Sequence, residues 1–141
     1  MSNPASWFYL HALAGLVYDA LEEVMCIAPH LPRVIGNGRE LKELPVFLPH
    51  GWLKLSLRDE ERTRSIKLVL AQKIGEGGFS FRSLRLGLPP GAVLSTLRVE
   101  TDEGGVLSWD YSPATEEIQV HPDRDYRLEN PGDTLCLNLC W

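Results

Sequence analysis

Residues 52–71 read WLKLSLRDEERTRSIKLVLA. Leu53, Leu55 and Leu57 fall on one parity, with Lys54, Ser56 and Arg58 on the other. Ile66, Leu68 and Leu70 repeat the pattern after the charged middle. A period of two marks a strand with one face in a core and one face in water. The basic residues between Arg58 and Lys67 are interrupted by Asp59, Glu60 and Glu61, so this part is expected to be a solvated turn rather than a phosphate patch.

Working outward, the same period recurs along most of the chain. VMCIA sets Met25 and Ile27 against Val24, Cys26 and Ala28. FSFRSLRLGL begins with Phe79 and Phe81 on one parity and continues with Leu84, Leu86 and Leu88 on the other, which predicts a bulge near Ser83. VLSTLRVE, GVLSWDY, EEIQVHP and DTLCLNLCW supply further strands. Glycine- and proline-rich turns separate them at Gly75–Gly78, Pro89–Gly91, Asp102–Gly105 and Asn130–Asp133. Eight or nine short strands at regular spacing predict a mainly β fold: an antiparallel β-sandwich, jelly-roll-like, with a small barrel as the alternative. The polar stretch from Arg33 to Pro45 reads as a loop, with at most a helical turn.

Before the strands, residues 1–16 are expected to form one short N-terminal helix, and 17–141 the β domain. Asn3 is a candidate N-cap, Pro4 fits the first helical position, and Gly15 fits the stop. Trp7, Leu10 and Ala14 share one face, and Phe8 and Ala12 add a second. A helix apolar nearly all round is one that is buried. Trp7, Phe8 and Leu10 are therefore candidates for docking on a partner or for self-association.

An internal echo links YDALEEVMCIAP, from Tyr18, to YSPATEEIQVHP, from Tyr111. Each places a tyrosine before a polar turn, then two alternating apolar residues, then proline. Two hairpins obeying the same turn rules explain this better than a repeat array, because only two copies occur.

Composition excludes several functions. The chain has 141 residues, 44% hydrophobic and 23% charged, which is ordinary for a globular domain with a real core. A net charge of -5 disfavours nucleic-acid and anionic-membrane surfaces. No apolar run reaches the roughly 18 residues of a membrane span. The N-terminus has no leading Lys or Arg of a signal peptide, and three cysteines imply no disulfide framework, so a cytoplasmic setting is expected.

No complete catalytic set stands in the sequence, and no cofactor is implied. His11, His30, His50 and His121 are dispersed, without HxH or HExxH spacing, so no metal site is expected. Cys136 and Cys140 share one face of the last strand, too far apart for a mutual disulfide, and read as packing residues. Asp19, Glu22, Glu23, Asp102 and Glu103 fall in turns, which accounts for them without acid–base chemistry. Aromatic residues carry more. A sugar presents an apolar face that stacks on an exposed ring. Trp52, delivered beside His50 by a loop, is the best candidate, and Trp109 with Tyr111 on one strand face is the second; core packing is the plainer account of each.

A resemblance adds to this reading. WFYLHALAGLVYDALEEVMCIAPHLP resembles the last barrel helix and following hairpin of glycosidases built on an (α/α)6 barrel, most of all the bile-acid β-glucosidases, or non-lysosomal glucosylceramidases. Trp7, Ala12, Gly15, Tyr18, Asp19, Ala20, Ile27 and Pro29 carry it, and LPVFLPHGW, with Gly51 and Trp52, is similar to a downstream segment. The resemblance covers about the first third of the chain. It implies a place near the closing seam of a helical barrel, with the catalytic carboxylates in that barrel and none here. Two functions are thus expected: a non-catalytic β-domain that docks on or completes a helical-barrel glycosidase partner, or a free-standing module that binds a saccharide or a protein.

Overall fold

The computed structural model describes residues 12, 14–29, 39–89, 91–122 and 124–141. Strands dominate them: β1 (Leu16–Asp19), β2 (Val24–Ile27), β3 (Arg39–Leu48), β4 (Gly51–Asp59), β5 (Thr63–Lys73) and β6 (Phe79–Phe81). The chain continues with β7 (Ser83–Gly87), β8 (Arg98–Thr101), β9 (Val106–Ser112), β10 (Glu117–His121), β11 (Tyr126–Leu128) and β12 (Thr134–Cys140).

Ten strands follow one hydrogen-bonded order, β1-β2-β7-β10-β9-β8-β12-β5-β4-β3, and β6 pairs with β11 separately. The fold is mainly β, as expected, and takes the form of a nearly closed sheet. β9 makes the order continuous. Its first residues, Val106 and Leu107, pair with β8, and the rest, Ser108–Ser112, pair with β10. Among the described residues all pairings are antiparallel except β2 with β7.

The alternation in β4 and β5 does what the sequence requires. Leu55 lies opposite Leu68, and Leu57 opposite Ile66. β12 extends the rows with Leu135, Leu137 and Leu139. From the other half come Met25, Ile27, Leu84, Leu86, Ile118 and Val120. These side chains form one buried cluster, capped by Phe79, Phe81 and Leu128 of the small sheet. Each fully buried Leu, Ile or Phe contributes about 1.5–3 kcal/mol of apolar transfer.

The expected solvated turn between β4 and β5 shrinks to Glu60, Glu61 and Arg62. Arg64, placed in that turn by its charge, instead points inward and is only 3% exposed. Its guanidinium donates to both Asp59 oxygens, at 2.6 and 2.7 Å, and to the Gly87 carbonyl at 2.9 Å. A bidentate carboxylate and a backbone acceptor satisfy the buried cation, and the bond to Gly87 ties β5 to β7.

Three further expectations change. The stretch ending at Pro45, read as loop, enters the ten-residue β3 at Arg39. The parity change near Ser83 is a break rather than a bulge: β6 ends at Phe81, and β7 starts at Ser83 in the other sheet. In VLSTLRVE only Arg98 onward is strand, because Leu94–Thr96 form a 3-10 turn. The expected N-terminal helix falls largely outside the described residues, as do Trp7, Phe8 and Leu10; at its end Gly15 takes a positive φ of 53° and Leu16 already opens β1.

The internal echo has a structural basis. Each copy is a hairpin with a four-residue turn, between Asp19 and Val24 and between Ser112 and Glu117. The last turn residue has a left-handed backbone in both, Glu23 at φ 53° and Glu116 at φ 55°. Their carbonyls cap opposite ends of β7, accepting from Arg82 and Leu88. Two similar hairpins thus clasp one strand.

Turn carboxylates act as caps. Asp133 Oδ2 accepts the N–H groups of Glu129 and Asn130, both at 2.8 Å. These bonds stabilise the charged form and hold its pKa below the ordinary 3.8. A depressed pKa contributes stability above the unfolded value and loses it as pH falls through the folded value. Asp133→Ala is therefore expected to lower Tm at neutral pH and to narrow its gap from the parent protein as the pH drops toward 3, measured by thermal melts across that range.

Candidate functional site

The outer face of β3, β4, β5 and β12 carries the polar parity of each strand. At one end lies an aromatic row. Phe47 pairs across the sheet with Trp52, and Trp52 with Gln72. The rings of Phe47 and Trp52 stack, with centroids 5.9 Å apart and planes 29° apart. Trp52 Nε1 donates to Gln72 Oε1 at 3.0 Å, which fixes the indole. Gly51 sets up this geometry. Its φ is 153°, and a Cβ there would overlap the Gln72 carbonyl oxygen.

One row further in are Pro45, Lys54 and Val69, and beyond them the strands open a groove of about 580 Å³. A bulge builds one wall: Lys42 and Glu43 intervene between Leu41 and Leu44, which pair with Leu57 and Leu55. Glu43 takes a φ of 45°, its N–H donates to Ser56 Oγ at 3.1 Å, and its carboxylate meets Lys54 Nζ at 3.3 Å. Ser56, Lys67, Cys136 and Asn138 line the floor. The sequence reading missed this groove. Its signal was present, since the parity shift from Leu41 to Leu44 is the kind of break noticed near Ser83.

Of the residues singled out by sequence, Trp52 is half-buried on this outer face. His50 lies in the turn before β4, whereas Trp52, expected on the same loop, is a strand residue with different surroundings. The His50 ring stands edge-on to Phe79, with centroids 6.3 Å apart, and lies beside Gly77. Trp109 is half-buried and packs on the core cluster, which answers to the plainer reading. Tyr111 continues that strand face and is 38% exposed. β9 lies four strands from β4 in the sheet order, so the two aromatic pairs do not share one strand ladder.

Among the described residues, the two thiols and the phenol with a shifted pKa are shifted away from their ionised forms. Burial, then the neighbouring Glu117 carboxylate, pushes the Cys26 thiol up to about 11. Burial and then Asp102 also raise Cys136. Tyr18 is raised by burial between Phe79 and Phe81, although the Ser80 N–H donates to its hydroxyl oxygen at 3.4 Å. A thiol with a raised pKa is a poor nucleophile. Cys26 is expected to react with a disulfide reagent at pH 8 at least tenfold more slowly than in the denatured chain; the rate ratio, read on a variant in which Cys136 and Cys140 are serine, checks it. His121 Nε2 lies 2.9 Å from Asp110 Oδ2 on the solvent side of β9 and β10. Ser108 faces His121 across the ladder, yet among the described residues no side-chain hydrogen bond joins them. Among the described residues no three His, Cys, Asp or Glu side chains come together as a metal site, and no described helix is long and apolar enough to cross a membrane.

No family model matches the chain, and no curated protein matches it significantly. Among solved structures it is similar to part of the α-L-rhamnosidase from Dictyoglumus thermophilum, with a TM-score of 0.51 and 11% identity. The likeness covers 96% of this chain and 13% of that one. At such identity the shared property is the fold. The class defined here is thus a mainly β domain whose fold also occurs as a small part of a large glycosidase chain. This likeness does not extend to the bile-acid β-glucosidase family in particular, since the solved neighbour is a glycosidase of another kind.

Proposed function

We propose that this chain is a non-catalytic, sandwich-type β-domain of a glycosidase-like protein, docking on or completing a helical barrel in the same or a separate polypeptide. One observation carries the reading: almost the whole chain matches a 13% portion of a sugar-active enzyme. The apolar N-terminal segment supports it, since Trp7, Phe8 and Leu10 would supply the docking surface. A reducing, cytoplasmic setting fits three free thiols at Cys26, Cys136 and Cys140. Co-expression with the barrel protein, followed by size-exclusion chromatography with light scattering, tests the docking. A 1:1 complex lost on Trp7→Ala/Phe8→Ala supports it; two independent peaks overturn it.

A second reading has its own observation, the Phe47–Trp52 row beside a groove. Stacked, half-buried rings next to hydrogen-bonding side chains are what a saccharide surface needs. Trp52→Ala is expected to weaken binding of any glycan found on an array by about tenfold or more, whereas Trp109→Ala, a core substitution, should act through stability. Equal affinity for the parent protein and Trp52→Ala sinks this assignment of the surface.

A further inference from the structure

The bonding within the groove leaves an excess of donors, and this deepens the saccharide reading, on which it rests. Glu40 pairs with Lys42, Glu43 with Lys54, and Arg58 with Glu60. Both groove carboxylates are therefore engaged by cations. Asn138 Oδ1 is taken by the Ser65 hydroxyl at 2.8 Å, so its amide N–H groups remain to donate. Ser56 Oγ accepts from Glu43 N–H, so its own proton remains as well. Lys67, between Ser56 and Cys136 in the ladder, has no ion-pair partner among the described residues. Ser56, Lys67 and Asn138 thus line one floor with donors to spare, one of them cationic, in a protein whose net charge is -5.

A neutral sugar carries no charge to answer a cation. A floor with an unpaired ammonium beside further N–H and O–H donors matches an anionic group that only accepts, and a carboxylate is that group. The geometry points to a uronate-containing oligosaccharide as the ligand of this face, its carboxylate on Lys67, Asn138 and Ser56 and a further ring against Trp52. Trp52 and Ser56 are four residues apart on one strand, roughly 13 Å, so more than one sugar ring fills the distance.

The test titrates the full chain with tetragalacturonate and with its methyl ester, read by calorimetry. The acid should bind at least about tenfold more tightly than the ester, and added NaCl should weaken it. Lys67→Ala, at an exposed position, should remove that preference while leaving the circular dichroism spectrum and Tm unchanged; Trp52→Ala should weaken both ligands. Equal binding of acid and ester, or a preference that survives Lys67→Ala, overturns the uronate assignment and leaves the saccharide surface standing. If neither these two nor any neutral oligosaccharide binds, both fail together.

Discussion

Arg64→Ala is expected to destabilise the protein by about 3–5 kcal/mol, seen as a lower urea midpoint at pH 7. The reason lies in what is left behind. Asp59 has an 11% exposed side chain and would lose both guanidinium bonds. The Gly87 carbonyl would lose the donor that joins β5 to β7. Removing one partner of a buried pair costs more than the pair itself contributes, because a charge stays desolvated. The double variant Arg64→Met/Asp59→Leu should therefore be more stable than Arg64→Ala. If Arg64→Ala melts within about 0.5 kcal/mol of the parent protein, as exposed charge changes do, the buried clip is absent in solution.

The second large effect is expected at Gly51, where fold and candidate surface meet. Gly51→Ala places a Cβ against the Gln72 carbonyl oxygen and demands a φ of 153° from a residue that avoids it. Strain and overpacking of this kind cost about 2–3 kcal/mol. The β4–β5 ladder shifts register next to this point, between Trp52 and Leu53, so the strand has little freedom to move away. The Trp52–Gln72 bond would be disturbed with it, and any glycan affinity of the face should fall more than the stability loss alone explains. Ala at Gly104, also at positive φ but with open space around its Cβ position, is the control and should cost less. Equal costs at the two glycines would show that the close approach at Gly51 contributes nothing.

Much of this architecture was legible because burial imposes parity. Leu53, Leu55 and Leu57 can occupy only one side of a strand with one wet face, and Leu135, Leu137 and Leu139 likewise. Turns such as Asp102–Gly105 declared themselves through residues that tolerate left-handed backbone, as Gly104 does with φ 81°. β3 stayed hidden for two reasons. It is an edge strand, and edges carry charge to discourage pairing. Its bulge at Lys42 and Glu43 also breaks the alternation that would have revealed it. Arg64 was misplaced because charge near a turn usually means solvent, and only a partner distant in the strand pattern, Gly87, makes its burial tolerable.

The candidate surface was legible in part for the same physical reasons. Trp52 stands out in the sequence as a ring beside a loop, yet it lies in β4, and its stack with Phe47 follows from a hairpin register that the intervening Pro49 and His50 set. His50 could not be judged from its neighbours in sequence, since its contact is with Phe79 on another strand. The groove floor joins β4, β5 and β12, and Asn138 reaches Ser65 across 73 residues of chain. No local pattern encodes that meeting.

The central proposal is that this β-domain serves a glycosidase-like helical barrel. Crosslinking of the tagged chain in its native host, with mass spectrometry of the purified complex, tests it most directly. The result expected is a helical-barrel glycosidase in 1:1 ratio, or in the same polypeptide, with crosslinks to residues 1–16. A monodisperse chain whose mass is its own, with no barrel protein crosslinked or attached, would contradict it.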